Sequence, residues 1–443
     1  MRYIAMWVTP VLLLIASWQI WDAIEARRLE RALAPILGPP VPTRIRAAGS
    51  DEGAGRYYAA ASILAVSLAP RERIQSAPGA PIVDAATAIR DVLARGGTPA
   101  KDALDAAARQ IEEGASVFAL VSRASTLPFE GFSPGTDFNY RFSGLLTINH
   151  LAGLEAMTLA MNGQGDPAAH ALIDRLRSLR AFAEQWSVDQ MVRAQQVQEI
   201  ATDVGIVVAR AHVPEDRLTE LDRALSEAYT ADAFERAIRE GALWWQQELR
   251  SIWEGRESRG YSVFGPFLRP LLRHHAVIQL QTSSDALAAA RLRWPDRISA
   301  MNRIPERRTL VPEVFRYVAA SRHVTVLRDE TVLMAEAVAA TRCARLIIAI
   351  ERLRATRGTL PQKLSDVVST DDEQALDPFT GKPLLYSHND DGYLVYSVGR
   401  DLKDEGGKLA DLPRGRLPGT LPAPDVGVRV QRLGPASSRL AQP

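Results

Sequence analysis

The sequence predicts a mainly α-helical protein with an N-terminal transmembrane helix, an irregular array of antiparallel helical hairpins and a small C-terminal antiparallel β module. Three observations lead to this fold class. Residues 3–21 form an uncharged apolar run, long amphipathic segments separated by Gly and Pro follow, and two short apolar runs between turn residues lie at 384–386 and 393–398. The 47% hydrophobic content is ordinary for a folded protein.

The first segment has the length and composition of a membrane anchor. It reads YIAMWVTPVLLLIASWQIW from Tyr3 to Trp21, which is long enough to cross the hydrocarbon core of a bilayer. Its tryptophans suit the membrane–water interface. A cleaved signal peptide would need a small-x-small site, for which Ile15-Ala16-Ser17 is a poor match, and a buried soluble helix is the other alternative. We expect an uncleaved anchor.

The orientation of this anchor rests on two opposing observations. Only Arg2 precedes the span, whereas Arg27, Arg28 and Arg31 follow it, so a count of basic residues places the bulk of the chain in the cytoplasm. A very short N-terminal tail ahead of a single anchor favours the opposite arrangement. We expect a single-pass protein of the bacterial inner membrane with the bulk of the chain in the periplasm.

Composition divides the chain into consecutive segments. Gly38-Pro39-Pro40 ends the first helix, and the residues from Pro413 onward are rich in Pro, Gly and Ser, which is typical of disorder. The predicted segments are a transmembrane anchor at 1–21, a juxtamembrane helix and linker at 22–55, a helical array at 56–325, a long helix plus a β module at 326–412, and a disordered tail at 413–443.

The array is predicted from amphipathic segments that end at turn residues. Residues 144–161 and 167–183 form one hairpin, in which Asp166 is predicted as the N-cap and Pro167 as the first helical residue. Further helices are predicted at 83–95, 100–113, 116–124, 187–212, 214–229, 231–256 and 285–291. No fixed period of about 34 residues is present, so the array is irregular.

Two segments depart from the helical pattern. Residues 127–142 read LPFEGFSPGTDFNYRF, an aromatic loop that either packs as a connector or lines a groove. Residues 260–275 combine apolar and basic side chains that could lie on a membrane surface. Prolines at 266 and 270 favour a packed loop instead.

Charge and cysteine content exclude several classes of protein. The net charge is +1, from 53 basic and 52 acidic residues, which argues against nucleic acid as a partner. Cys343 is the one cysteine, so neither an intramolecular disulfide nor a thiolate metal cage can form. The apolar neighbours of Cys343 predict an inert residue in a helical core.

No motif in the sequence specifies a catalytic reaction. The chain has no His-Glu-x-x-His pair, no Gly-x-Ser-x-Gly elbow and no phosphate-binding glycine loop. Neighbouring acids such as Glu112-Glu113 and Asp371-Asp372 are interpreted as solvated charge. We therefore predict no catalytic residues and consider an enzyme the less favoured class.

The C-terminal segment contains the most informative series of short motifs. A long predicted helix at 326–357 leads to Gly358-Thr359-Leu360-Pro361, then to Asp377-Pro378-Phe379-Thr380-Gly381, a strand pair and a closing Gly406-Gly407. This order resembles the C-terminal part of the major pseudopilins of type II secretion, in which a helix, a Gly-x-x-Pro corner, a short sheet and a calcium-holding loop follow one another. The pilin-type processing site, Gly-Phe-Thr-Leu-Ile-Glu, is absent.

The loop after the second strand is the candidate metal site. Calcium prefers six to eight oxygen ligands held by a flexible, glycine-bearing turn. Asp401, Asp404 and Glu405, together with Ser397 and local carbonyls, are the predicted ligands, and the resemblance also implies calcium here. Leu402 stands where the pseudopilin loop has glycine. The alternative is that these acids only solvate and cap a turn.

These observations favour a membrane-anchored helical scaffold or protein-interaction protein of the bacterial envelope. The bilayer is its expected partner through residues 3–21, and a protein partner is expected on the helical array. One alternative is an envelope hydrolase whose pocket lies at the loop 127–142. Another is an accessory component of a secretion or pilus system, which the resemblance implies.

Overall fold

The computed structural model describes residues 2–37, 53–68, 74–75, 82–129, 138–182, 187–228, 231–254, 256, 265–307, 323–369, 372–409 and 425–432. This part of the chain is mainly helical with a small three-stranded antiparallel sheet near its C-terminal end, as predicted. The chain divides into two compact units that are interleaved in sequence, whereas the predicted segments are consecutive.

Thirteen α-helices and five strands lie within the described residues. The helices are α1 Arg2–Leu37, α2 Ala54–Ser67, α3 Ala85–Ala94, α4 Lys101–Glu113, α5 Ala115–Ser125, α6 Phe138–Met161, α7 Gly165–Ser178, α8 Ser187–Arg210, α9 Glu215–Ala228, α10 Ala231–Trp253, α11 Gly265–Ala290, α12 Asp296–Arg303 and α13 His323–Arg357. The strands are β1 Ile74–Gln75, β2 Ile82–Val83, β3 Leu385–Asn389, β4 Gly392–Ser397 and β5 Val426–Gln431.

The first unit comprises Met1–Thr43, Gln185–Ser187 and Ala231–Thr331. In this unit α11 packs against both α1 and α10, with Leu272, Ala276 and Leu280 buried along it. The predicted polar helix after residue 21 is confirmed, since α1 continues to Leu37. Among the described residues, no helix has both the length and the apolar character needed to span a membrane.

The prediction of a packed loop at 260–275 is wrong for residues 265–275. They form the first part of α11, which continues through Pro270 and absorbs most of the separate helix predicted at 285–291. Prolines cost a helix least near its N-terminus, because the first amide groups have no intrahelical acceptor. Pro266 lies in that first turn, whereas Pro270 lies inside the helix and removes one amide donor. Helix α11 continues through Pro270 because it packs against both α1 and α10.

The second unit comprises Arg44–Glu184, Val188–Thr230 and Val332–Pro443. Its main core joins α2, α5–α9 and α13 with β4 and β5, and many of the buried residues are alanines. A smaller core joins α3 and α4 to α6, with Ile89, Leu93 and Met157 at its centre. Alanine faces let helices approach closely, since interaxial distance depends on the side chains at the contact. Cys343 is fully buried in the main core, as predicted.

The C-terminal sheet has the order β3-β4-β5 with antiparallel pairing throughout. The predicted hairpin is confirmed, with Leu385 opposite Tyr396. The prediction of a disordered tail from residue 413 is wrong at 426–431, which form β5. Val428 and Val430 alternate inward and are buried, so β5 is a half-buried edge strand. The surrounding Pro, Gly and Ser content masks this short alternation in the sequence.

Two helix starts differ from the prediction. Helix α7 begins at Gly165, so Asp166 lies within its first turn and is not the N-cap. The carboxylate of Asp166 instead accepts a hydrogen bond from Arg217 Nε at 2.8 Å. Helix α6 begins at Phe138, inside the predicted aromatic loop, whose residues 130–137 lie outside the described part. At the start of that loop, Phe129 packs edge-on against Tyr58, with ring centroids 6.0 Å apart.

Candidate functional site at the C-terminal sheet

Asp377 lies in the turn between α13 and the C-terminal sheet and stabilises it. We call Asp377 and its hydrogen-bond partners Phe379, Ser397 and Val398 the Asp377 corner. Its carboxylate is buried and accepts three hydrogen bonds, from the amide of Phe379 at 2.8 Å, the hydroxyl of Ser397 at 2.9 Å and the amide of Val398 at 3.2 Å. The Asp-Pro-Phe motif therefore ties the turn at 377–381 to the end of β4. Burial without these donors would be costly for a carboxylate.

The predicted metal ligand Ser397 belongs to this corner. Besides donating to Asp377, its oxygen accepts the amide of Gly399 at 3.1 Å, and the residue is fully buried. Both interactions direct the hydroxyl toward the Asp377 turn. The hydroxyl of Ser397 is therefore hydrogen-bonded to the Asp377 turn and to the start of the loop that follows β4.

The predicted ligands Asp401 and Asp404 each form an Asx turn in the loop after β4. Asp401 Oδ1 accepts the amide of Lys403 at 3.1 Å, and Asp404 Oδ1 accepts the amide of Gly406 at 2.8 Å. Asp404 Oδ1 also accepts the hydroxyl of Tyr396 at 3.1 Å. These bonds hold the loop beside β4 and leave the other oxygens of both carboxylates available.

Asp425 is an acid of this region that the sequence analysis missed. It immediately precedes β5, and its Oδ2 accepts the amide of Gly407 at 2.8 Å. The residue is 1% exposed, and its Oδ1 has no hydrogen-bond partner. Asp425 comes from a Pro-rich segment, so only its position before the Val-Gly-Val-Arg-Val alternation signals that it belongs to the sheet.

The acids around this loop disfavour the ionised form of one another's carboxyl groups. Burial and the nearby Asp404 raise the pKa of Asp425, and partial desolvation with Asp401 and Asp425 raises the pKa of Glu405. Burial and the hydrogen bond to Asp404 raise the pKa of Tyr396 to about 12. A bound cation would relieve this repulsion. Among the described residues, however, no three His, Cys, Asp or Glu side chains are grouped to hold a metal.

Leu402 and Arg400, in the loop after β4, both have a structural account. Leu402 adopts φ +61°, a left-handed conformation that glycine adopts without a steric penalty. Arg400 donates from Nε and Nη2 to Glu336 Oε1 on α13, at 2.8 and 2.6 Å. The positive charge of Arg400 is thus paired with the helix.

A cavity of about 220 Å³ lies in the second unit between α3, α8 and the segment around β5. Its walls carry charges of both signs, namely the basic Arg90, Arg95, Lys408 and Arg429 and the acidic Asp91 and Asp425. Arg429 donates to the carbonyl of Gly407 at 3.1 Å. The cavity therefore borders the acidic loop and shares Asp425 with it.

A buried ion network adjoins this cavity and shares Arg90 with its wall. Arg90 of α3 and Arg175 of α7 both bind Asp203 of α8, at 2.6 Å each, and Arg175 also binds Glu199 at 3.1 Å. Two arginines face two carboxylates, so the charges balance. Such a network fixes three helices relative to one another and offers no free nucleophile or base.

Comparison of the chain with protein-family models, curated proteins and solved structures finds no match.

Proposed function

We propose that the chain is a membrane-anchored helical scaffold of the bacterial envelope, held in the inner membrane by residues 3–21 and carrying a protein partner on its helical array. The observation that carries this proposal is the reversed polarity of α1. Leu13, Leu14 and Ile20 are 63%, 70% and 62% exposed, whereas Asp22 and Glu25, at the next turns, are 7% and 2% exposed.

A helix in water buries its apolar side chains and exposes its charged ones. In α1 the apolar residues before position 22 project from the first unit. Of the acids that follow, Asp22 is buried in an ion pair with Arg269 and Glu25 is buried beside His274 of α11. The sequence continues the apolar stretch back to Tyr3, although the side chains of residues 3–12 lie outside the described part. Lipid is the environment that stabilises this arrangement.

The scaffold role is supported by the rigidity of the second unit. Its helices pack through small side chains, and the buried network of Arg90, Arg175, Glu199 and Asp203 ties α3, α7 and α8 together. A fixed set of helices presents a surface of constant shape, which is how helical arrays bind protein partners.

Fractionation of the full chain tests the anchor. The wild-type chain is expected to remain with membranes after alkaline carbonate extraction, and a Leu13→Asp, Leu14→Asp variant is expected to be released. Leu292→Asp, at a 41% exposed leucine of the same unit, is the control and should stay with the membrane. Release of the wild-type chain would refute the anchor. A separate fusion of alkaline phosphatase to the C-terminus reports whether most of the chain lies in the periplasm.

A calcium ion at the loop 401–407 is a second proposal, supported by the unpaired Oδ1 of Asp425 beside Asp404. No three acids are grouped among the described residues, so the ion would have to draw Asp401, Asp404, Glu405 and Asp425 together as its carboxylate ligands. It would then order the loop by neutralising their charge. Calorimetric titration of calcium into the full chain, with thermal melts in chelator, is the test.

Asp425→Asn and Asp404→Asn should each abolish binding heat and the rise in melting temperature. Asp390→Asn, in the exposed turn between β3 and β4, is the matched control and should bind as the wild type does. If calcium produced no binding heat with the wild-type chain, the role of these acids would be only to stabilise the turns of the loop.

A further inference from the structure

The start of α11 lies beside the end of the predicted apolar span. Trp18 Nε1 donates to the carbonyl of Phe267 at 3.2 Å, and the guanidinium of Arg269 lies 5.2 Å from the centre of the Trp18 ring. One turn further along both helices, Asp22 binds Arg269 and Arg273, at 2.8 and 2.9 Å. The first residues of α11 are therefore level with the last turn of the span.

The two helices run in the same direction. Contacts advance together along both chains, from Trp18 with Phe267, through Asp22 with Arg273, to Glu25 with His274 at 3.2 Å. The N-terminal end of α11 consequently points toward the same side as the N-terminal end of α1. If residues 3–21 cross a bilayer, α11 begins at its surface.

The exposed side chains at the N-terminal end of α11 are typical of a membrane–water interface. Phe267 is 76% exposed, the largest exposure among the exposed large apolar side chains of the described residues. Trp18 contacts Phe267, and tryptophan is enriched at the membrane–water interface of membrane proteins. Phe267 thus extends the exposed apolar surface of α1 onto a second helix.

Charge around this level favours anionic lipid. Arg269 and Arg273 share the single carboxylate of Asp22, so one positive charge is left over. About two to four turns beyond Trp18 on the same helix, the exposed Arg27 and Arg31 outnumber the exposed Glu30, so the positive excess continues along α1. An excess of arginine next to an apolar side chain is the pattern of an interfacial segment that binds anionic headgroups.

We infer that the N-terminal turn of α11 is a second membrane contact, with Phe267 inserted at the acyl boundary and Arg269 and Arg273 facing anionic lipid headgroups. This inference rests on the proposed anchor. It adds that the first unit is held against the bilayer at two helices, so that its orientation to the membrane is fixed and not only its distance from it.

The test uses the full chain in nanodiscs containing phosphatidylglycerol, labelled with an environment-sensitive fluorophore at one introduced cysteine. Cys343 is fully buried and its thiol pKa is raised by burial, so it should not react under native conditions. Labels are placed by Phe267→Cys, by Leu14→Cys within the span, and by Leu292→Cys. The last position is on the order of 35 Å from Phe267 at 1.5 Å per residue.

The label at 267 is expected to emit at shorter wavelength than the label at 292 and to be quenched by lipids that carry a shallow spin label. The label at 14 should be quenched by deeper spin labels. A water-like spectrum at 267 with deep quenching at 14 would overturn the inference and leave the anchor intact. Water-like spectra at both positions would overturn the proposed function as well.

The headgroup part of the inference has its own arm. In nanodiscs of phosphatidylcholine alone, the blue shift at 267 is expected to weaken, and Arg269→Gln, Arg273→Gln should weaken it equally in phosphatidylglycerol. If the blue shift of the emission at 267 were identical in both lipids and in the double variant, Arg269 and Arg273 would take no part in the membrane contact.

Discussion

Arg175 and Asp203 form an ion pair from which water is excluded, with Arg175 Nη1 2.6 Å from Asp203 Oδ2 and neither side chain exposed. Arg90 of α3 binds the same carboxylate, so Asp203 compensates two buried guanidinium groups. Gly153 passes so close that a Cβ there would lie 2.7 Å from Arg175 Nη1. The side chains of Arg175 and Asp203 and the backbone at Gly153 are therefore tightly packed against one another.

Asp203→Asn should strongly destabilise the second unit. The amide keeps the shape of the side chain but removes the charge, which leaves two buried arginines against Glu199 alone. Removing one partner of a buried pair costs about 3–5 kcal/mol, because a buried charge stays uncompensated. Thermal unfolding of the full chain in detergent, followed by circular dichroism, measures the loss.

Glu254→Gln is the matched control for this variant. Glu254 pairs with Arg250 at 2.8 Å, but the two side chains are 31% and 57% exposed. Exposed pairs contribute little to stability, because water screens the two charges. Equal effects of the two substitutions would mean that the Asp203 network does not stabilise the fold.

Glu155→Gln should stabilise the protein at high pH and not at low pH. Burial, and then the charge of Asp174, raise the pKa of Glu155 from 4.5 to about 7. Between these values the folded chain holds a proton that the unfolded chain has lost, so the free energy of unfolding falls as pH rises. Above pH 7 the charged carboxylate costs the folded state about 1–3 kcal/mol, at 1.36 kcal/mol per pKa unit and reduced for partial exposure.

Glutamine resembles the protonated carboxyl, so this cost is absent from the variant at every pH. Melting temperatures of wild type and Glu155→Gln at pH 8 and near pH 4.5 are the measurement, and the gap should close at the lower pH. Glu113→Gln, at an exposed glutamate, controls for the loss of one negative charge. A gap of the same size at both pH values would contradict the assignment.

Asp377→Ala should loosen the C-terminal sheet. It deletes the acceptor of three hydrogen bonds and leaves the donors of Phe379, Ser397 and Val398 in a buried corner. Each unsatisfied buried donor costs about 1–3 kcal/mol. Hydrogen exchange of the amides in β3, β4 and β5 should accelerate in the variant while that of α3 and α4 stays unchanged.

Ser397→Ala removes one member of the same corner and should accelerate exchange less. Ser397 donates a hydrogen bond to Asp377, so comparing the two variants shows whether Ser397 stabilises the sheet or binds calcium. If Ser397→Ala abolished calcium binding while the sheet kept its protection, the ligand set predicted from the sequence would be restored.

Helices can be predicted from the sequence where amphipathic segments end at Gly or Pro, as at residues 83–95 and 100–113. The local pattern is misleading where tertiary contacts override it. Pro270 lies within a helix because α11 is held between α1 and α10, and β5 forms in a Pro-rich segment because Val428 and Val430 fill the core. Asp425 was missed for the same reason, since its role depends on the strand that follows it.

Gly205→Ala should displace β5 from the helical core. Gly205 lies in α8, and a Cβ there would meet the backbone oxygen of Arg429 at 2.5 Å and Val428 Cγ1 at 2.8 Å. The clash with a backbone oxygen cannot be relieved by a rotamer change, and such overpacking costs about 1–3 kcal/mol. Gly241 of α10 is the matched control, because it is also helical and a Cβ there meets nothing within 4 Å. Gly241→Ala should therefore stabilise its helix by about 0.5–1 kcal/mol.

The two glycine variants thus have opposite expected signs, and melting temperatures together with proteolysis around residues 425–432 distinguish them. Gly205→Ala should lower the melting temperature and expose β5 to protease, whereas Gly241→Ala should raise it and leave β5 protected. A neutral Gly205→Ala with an intact β5 would mean that this strand does not pack on α8. Asp425 would then lose its position beside the loop 401–407, and the calcium proposal would lose its structural support with it.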